Sequence, residues 1–269
     1  MTTIDPHSAL AALRGRFPVL KAGHVWLVGA GPGDPGFLTL DAVAALIQAD
    51  VVLHDALIDD RVLALAGPET RLEYAGKRGG RTSTRQSDIS ARLVMLAREG
   101  RRVVRLKGGD PFIFGRGGEE AQALAEAGVP YRIVSGVTAG IAATAAASVP
   151  ATLRGVNQAV ILASGHAGAE HELDWAALAR TGQPLIIYMA MRNIATIVDA
   201  LRNGGLSGET PAAVIVAATT PRQRIVVSRL ARLADEVELL GNDVPGVIVV
   251  GEIVNARERL LGLVAEAVR

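Results

Sequence analysis

Short apolar runs recur along the chain, separated by longer stretches in which apolar positions fall every third or fourth residue. The runs predict strands and the spaced stretches predict helices. His24–Gly29, Asp50–His54, Arg102–Leu106 and Tyr131–Val134 read as strands. Thr39–Gln48 reads as a helix with Thr39 as N-cap, and Ser87–Arg98 as one closed by Gly100. Glu119–Ala127 is a helix ended by Gly128, and an Ala-rich helix follows Thr138. After Pro150 the runs turn β-branched: Ala159–Ala163, Pro184–Met189, Ala212–Ala217, Arg224–Val227 and Val247–Val250, with helices near 174–180, 193–203 and 255–267. This alternation predicts α/β architecture with largely parallel strands. The change of texture within 137–155 predicts an N-terminal extension (1–22), an α/β lobe at 23–137 and a second α/β lobe at 138–269. Clefts between such lobes are common ligand sites, so the active site is expected there.

Composition narrows the chemistry. The absence of Cys excludes a disulfide framework, a thiolate zinc site and a Cys nucleophile. With 28 basic and 27 acidic residues the formal charge is +1, which gives no bulk attraction to nucleic acid or to an anionic membrane. Aromatic residues, 3% of the chain, do not interleave with basic ones, so base stacking is unsupported. Gly, Pro and charges break every apolar run before about 18 residues, so no membrane span is predicted. The N-terminus carries Asp5 early and has no continuous apolar stretch, unlike a secretory signal, and a cytoplasmic setting is expected. His54, His166 and His171 lack metal-ligand spacing, and no metal is expected. Trp26 and Trp175 read as core or interface residues.

Two glycine-rich loops carry the chemistry. The first, Gly29-Ala-Gly-Pro-Gly-Asp-Pro-Gly36, follows a strand. A dinucleotide fingerprint needs Gly at its sixth position, where this chain has Asp34, and a carboxylate there repels pyrophosphate. A phosphate-binding P-loop needs Lys after the last Gly, where this chain has Phe37. A tight strand-to-helix turn remains an equal reading. The second loop runs from Arg105 to Glu120 as RLKGGDPFIFGRGGEE, between a strand and a helix, at the sheet edge where open α/β folds bind ligands. Asp110 there can accept hydrogen bonds from hydroxyls or an ammonium. Phe112, Ile113 and Phe114 are large apolar residues in a loop, and at least one is expected to plug the lobe's own core.

These loops, with HDALI, GKRGG, SGVTAG, ASGH, Tyr188-Met189 and VVGEIV in order, resemble the tetrapyrrole methylases, the class III methyltransferases, over nearly all of 24–254. GAGPGDPGFLTL belongs to the wider family, and RLKGGDPFIFGRGGEE resembles its uroporphyrinogen III branch. The resemblance implies transfer of methyl groups from S-adenosyl-L-methionine (SAM) to C2 and C7 of uroporphyrinogen III. The products would be precorrin-2, by way of precorrin-1, and S-adenosyl-L-homocysteine, for sirohaem, cobalamin or haem d1 biosynthesis. It also implies a homodimer. A donor with a sulfonium and no phosphate suits an acidic first loop. The fused dehydrogenase/chelatase module of some relatives is not matched, so a stand-alone methylase is expected.

Carried over by motif, the donor contacts implied are Pro32, Gly108, Gly109, Asp110, Ile113, Thr138, Ala139, Met189 and Ala218. Asp55 is implied as proton acceptor and Lys77 as proton donor, with Arg116 and Glu119 as rivals for handling the proton. Arg116 and Arg154 are implied to face the substrate's carboxylates, which Arg forks bind bidentately. Lys77, Arg78, Arg105 and Lys107 are expected to add local positive charge. Ser135, Asp41 and Ala218 depart from common family residues without removing a named functional group. A methylase of a later corrinoid, and a non-catalytic SAM- or nucleotide-binding module, are the alternatives. The full second loop and Arg154 count against the former, and retention of Asp110, Arg116 and Lys77 against the latter.

Overall fold

The computed structural model describes residues 13, 15–75, 85–166, 173–241 and 243–267. Most of the extension 1–22, together with Lys77, Arg78 and His171, therefore lies outside the described residues. The chain divides into two compact units, Met1–Val137 and Thr138–Arg269.

The first unit holds a five-stranded sheet of β1 (Val25–Gly29), β2 (Val51–His54), β3 (Arg71–Tyr74), β4 (Val103–Lys107) and β5 (Tyr131–Val134). The order is β3-β2-β4-β1-β5 and every pair is parallel. β1 and β4 are buried along their whole length because helices cover both faces, which is why they read as continuous apolar runs. Helix Leu40–Gln48 starts where Thr39 accepts from the Ala42 amide at 3.2 Å, as its N-cap position predicts. Helix Gln86–Arg98 packs beside helix Gly117–Glu126, and both cover the sheet face that Val103 presents.

The second unit holds β6 (Ile161–Ser164), β7 (Leu185–Tyr188), β8 (Pro211–Val216), β9 (Arg224–Arg229) and β10 (Gly246–Val250), in the order β6-β7-β10-β8-β9. Only β6–β7 is parallel; β7–β10, β10–β8 and β8–β9 are antiparallel. The expectation of largely parallel strands is thus corrected for this unit. The connection 217–223 between β8 and β9 is too short for a crossover, and antiparallel pairing is what a short connection permits. Helices Ile194–Asn203 and Leu233–Leu240 bury Ile197, Leu201, Leu233 and Val237 in one apolar cluster with Ile187, Val214 and Ile248. Among the described residues no helix is long and apolar enough to cross a membrane.

Candidate functional site

In the first unit, parallel pairing aligns the carboxyl ends of β1, β2, β4 and β5 at one edge: Gly29 is level with Lys107, His54 with Leu106, and Val28 with Val134. The loops leaving β1 and β4 are joined there. Gly31 N donates to Gly109 O at 3.1 Å, and Gly109 N donates to Gly31 O at 2.7 Å. The backbones touch so closely that a Cβ on Gly29 would lie 2.6 Å from Gly109 O, and one on Gly136 2.3 Å from the same atom. Gly29 and Gly136 thus serve the chain's own close packing at this edge. Among the described residues there is room outward at Gly108, whose added Cβ would meet only Leu57 at 3.7 Å, and at Gly118, where nothing lies within 4 Å.

Asp34 is a turn residue, accepting from the Gly36 amide at 2.7 Å as cap of a 3-10 turn over Pro35–Phe37. Pro32 precedes it, half-buried. Asp110 braces the second loop: Oδ1 accepts from Phe112 N at 2.8 Å and Oδ2 from Gly136 N at 3.0 Å. Phe112 and Phe114 are 55% and 42% exposed, and Ile113 is half-buried. The expected plug is instead Pro111, which is buried and whose carbonyl accepts from Gly117 N at 3.0 Å. The turn this makes is too tight for a side chain at Gly117, where a Cβ would fall 2.4 Å from Pro111 O.

Arg116 sits in the left-handed region at φ 59°, which is uncommon for a residue with a side chain and recurs at functional sites. There it precedes helix Gly117–Glu126 and forks onto Glu119, with Nε–Oε1 2.8 Å and Nη2–Oε2 2.7 Å, both side chains exposed. That hydrogen-bonded pair holds Glu119 below the usual carboxylate range and raises Arg116 above its own. The two residues line a groove with Ser87, Ser90 and Val94 of helix Gln86–Arg98.

Asp55, just past β2, has Oδ1 tied to Arg105 Nη2 at 2.6 Å, with its side chain about one-third exposed. Arg105 and Lys107 are 2% and 3% exposed and both contact Glu120 Oε1, at 3.0 and 3.1 Å. The expectation that these two cations add field for a substrate is corrected: they are neutralised inside the unit. Burial, then the like charge of Arg105, pushes the Lys107 ammonium below its ordinary value, with Glu120 and Asp55 acting against that.

In the second unit the pairing of Tyr188 with Ser164 and Val247, and of Val216 with Gly246, puts the exits of β6, β7 and β8 at one edge. Two of these exits are strained. Met189 has φ 53° and is 48% exposed, and the half-buried Ala218 lies between Ala217 (φ 48°) and Thr219 (φ 65°). Thr138 and Ala139 begin helix Ala139–Ala146 against Tyr188, whose hydroxyl meets Thr138 Oγ1 at 2.9 Å and accepts from Gly140 N at 3.0 Å. Burial, partly offset by those bonds, raises the Tyr188 phenol above its ordinary value. His166 follows β6, exposed. Arg154 is exposed on a turn pinned by Asn157, whose Oδ1 accepts from Leu153 N at 2.9 Å and whose Nδ2 donates to Ala159 O at 2.8 Å. It has no ion-pair partner among the described residues.

The structure thus collects Pro32, Gly108, Gly109, Asp110, Ile113, Asp55, Arg116 and Glu119 at one edge of the first unit. Thr138, Met189 and Ala218 gather at one edge of the second. Asn157, Glu120 and the bonds of Tyr188 were missed in the sequence. Among the described residues no group of three His, Cys, Asp or Glu could hold a metal ion.

Glycine turns at the carboxyl edge of a parallel sheet, exposed apolar loop residues and a forked arginine are the features of a ligand-binding edge in an α/β fold. The chain belongs to the Tetrapyrrole (Corrin/Porphyrin) Methylases, which it matches over residues 24–234. It is 51% identical over 246 residues to a uroporphyrinogen-III C-methyltransferase of Sinorhizobium sp, covering 90% of this chain and 88% of that one. It is 47% identical over 241 residues to a siroheme synthase of Neisseria meningitidis serogroup C (strain 053442), covering 89% of this chain and 50% of the relative, so it spans about half that protein's length. The crystal structure of a Thermus thermophilus uroporphyrin-III C-methyl transferase complexed with S-adenyl homocysteine is similar at TM-score 0.75 and 38% identity, covering 86% of this chain and 99% of that one. A cobalt precorrin-4 methyltransferase, CbiF, is similar at TM-score 0.77 and 29% identity, covering 86% and 96%.

Proposed function

We propose that the protein transfers methyl groups from SAM to C2 and C7 of uroporphyrinogen III. The products are precorrin-2, through precorrin-1, and S-adenosyl-L-homocysteine, in a route to sirohaem, cobalamin or haem d1. The observation that carries this is the 51% identity to the Sinorhizobium enzyme across 90% of the chain. The cobalt precorrin-4 methyltransferase is as alike in fold, but its identity is 29% against 38% for the Thermus enzyme.

The residues present suit such a donor. Open space at Gly108 lets a ligand reach backbone, and Ile113 and Met189 offer apolar surface. When bound, SAM supplies an electrophilic methyl group on a sulfonium. In the first unit Pro32, Gly108, Gly109, Asp110 and Ile113 would contact it, and in the second Thr138, Ala139, Met189 and Ala218 would do so. The attacking carbon belongs to the substrate, so the protein's work is alignment and proton handling. Asp55 accepts the proton through Oδ2, which has no partner among the described residues, and Lys77 returns one. Arg154 and Arg116 fork onto substrate carboxylates, with Arg116 exchanging Glu119 for one of them. Glu119, so released, is a second base at the same edge. No metal takes part. The protein acts as a homodimer in the cytoplasm, apart from membranes and nucleic acid.

Anaerobic incubation with SAM and uroporphyrinogen III tests the reading. A product that carries two added methyl groups, two CH2 heavier than the substrate, is expected. SAM binding with no methylated product would overturn it in favour of a non-catalytic binding module.

A further inference from the structure

Buried beneath the second glycine loop is a charge cluster that the proposed chemistry does not use. Glu120 is fully buried in helix Gly117–Glu126, and three donors converge on its Oε1: Arg105 Nε at 3.0 Å, Lys107 Nζ at 3.1 Å and Gln86 Nε2 at 3.0 Å. Among the described residues its Oε2 has no hydrogen-bond partner. Arg105 is fixed at every nitrogen, with Nη1 donating to Leu53 O at 3.3 Å and Leu106 O at 3.2 Å, and Nη2 to Asp55 Oδ1 at 2.6 Å. The cluster joins two helices, β4 and the end of β2. Among its charged members in the described residues, Asp55 alone reaches solvent, and the others are at most 4% exposed.

A core of this kind is a poor source of stability. Desolvating two cations and two carboxylates costs several kcal/mol per ion, and apolar residues of the same volume serve a core as well or better. What the ions supply that apolar residues cannot is a rigid donor aimed at one carboxylate oxygen. Held by Arg105, Asp55 cannot rotate its Oδ1 outward, and Oδ2 keeps one direction.

We propose that Arg105 and Glu120, with Lys107, form a buried frame that orients Asp55, which makes them positioning residues for its proton-accepting role. This rests on the reading of Asp55 given above. Arg105 sets the carboxylate's direction, Glu120 sets Arg105, and Lys107 and Gln86 hold Glu120.

A double-mutant cycle tests the frame. Asp55→Asn should lower kcat by roughly 100-fold or more, the usual range for a lost general base. Glu120→Gln keeps the shape and should lower kcat by roughly 10-fold, as misorientation does, with SAM affinity and KM within about twofold of the wild type. In the Asp55→Asn background the Glu120→Gln change should have no further effect, because its target is gone. Slowing that multiplies in the double variant, or that comes with an equal loss of SAM affinity, would show the cluster to be only structural and overturn the frame. Wild-type turnover by Asp55→Asn would instead overturn the role of Asp55 itself. Should Glu120→Gln fail to fold, judged by SAM titration, Arg105→Lys enters the same cycle with the same criteria: it keeps the charge but cannot span Glu120 and Asp55.

Discussion

Gly140→Ala sets helix propensity against packing. Gly140 lies in the first turns of helix Ala139–Ala146, where Ala is the better helix former by about 1 kcal/mol. On propensity alone the substitution stabilises. But the new Cβ would fall 2.3 Å from Tyr188 Oη, 2.5 Å from its Cζ and 2.8 Å from Ile186 Cγ2. Tyr188 ends β7, flanked by β6 and β10 and 8% exposed, so the ring has nowhere to swing. Overpacking of this kind costs about 1–3 kcal/mol. Displacing the hydroxyl from Gly140 N and Thr138 Oγ1 adds about 1–3 kcal/mol for buried polar groups left unpaired. Packing wins, and the net is a destabilisation of about 3 kcal/mol. Urea unfolding should show a lower midpoint at unchanged slope. The melting temperature should fall by roughly 6–12 °C for a chain of this size. SAM affinity should fall as well, since Thr138 and Met189 flank the displaced ring. Tyr188→Phe alone should cost about 1–2 kcal/mol, and the double variant less than the sum, because the oxygen that Ala strikes has been removed. A Gly140→Ala protein at least as stable as the wild type would refute the close approach of helix and ring.

Three other outcomes are expected. Arg116→Ala should nearly abolish methylation while SAM affinity, read by calorimetry, stays within about twofold; parallel loss of both would make Arg116 structural. Gly109→Val forces a branched side chain to adopt φ 68°, and should weaken SAM binding by shifting the Gly31–Gly109 bridge; unchanged affinity would remove this loop from the donor site. Asp50 accepts from Arg102 N at 2.7 Å and Arg102 Nη2 at 2.6 Å, which holds its carboxyl below the ordinary 3.8. Its folded pKa being depressed, its stabilisation is complete above the ordinary value and is lost as pH falls through the lowered one. Asp50→Asn should therefore cost about 1–2 kcal/mol at pH 7 in urea unfolding, and the gap to the wild type should narrow as pH drops below 3.8; a gap independent of pH would contradict the ion pair.

The elements legible in the sequence are those whose burial is uniform or whose ends are capped. β1, β4, β7 and β8 are buried throughout and read as runs, and Thr39, Gly100 and Gly128 mark helix ends where they were expected. β3 escaped notice because it is an edge strand of sequence Arg-Leu-Glu-Tyr, half exposed and with no apolar run to detect. Helix Leu233–Leu240 was missed although Leu233 and Val237 show the four-residue spacing, because it follows β9 through a short 3-10 turn and has no side-chain cap at its start. Strand direction was misjudged in the second unit because apolar runs carry no direction. Connection length does, and 217–223 held that information.

The charge frame shows why the candidate site was only half legible. Arg116, Arg154, Asp110 and Gly108 stand in loops, where a polar residue or a glycine invites a chemical question. Arg105 and Lys107 stand in a strand, where alternation puts them on the face of Val103 and sets Val104 and Leu106 on the opposite face. That face packs on helix Gly117–Glu126, whose buried positions are Gly117, Glu120, Ala121 and Leu124, a helical stripe with a carboxylate in it. A glutamate on the buried stripe of one element, facing two cations on the covered face of another, is a pattern readable before any coordinates exist. It stays hidden when each charge is weighed singly, because a lone Arg is most often a solvated one. Only the pairing of the two patterns requires ions in the core, and only ions in the core give Asp55 a fixed partner rather than a solvent shell.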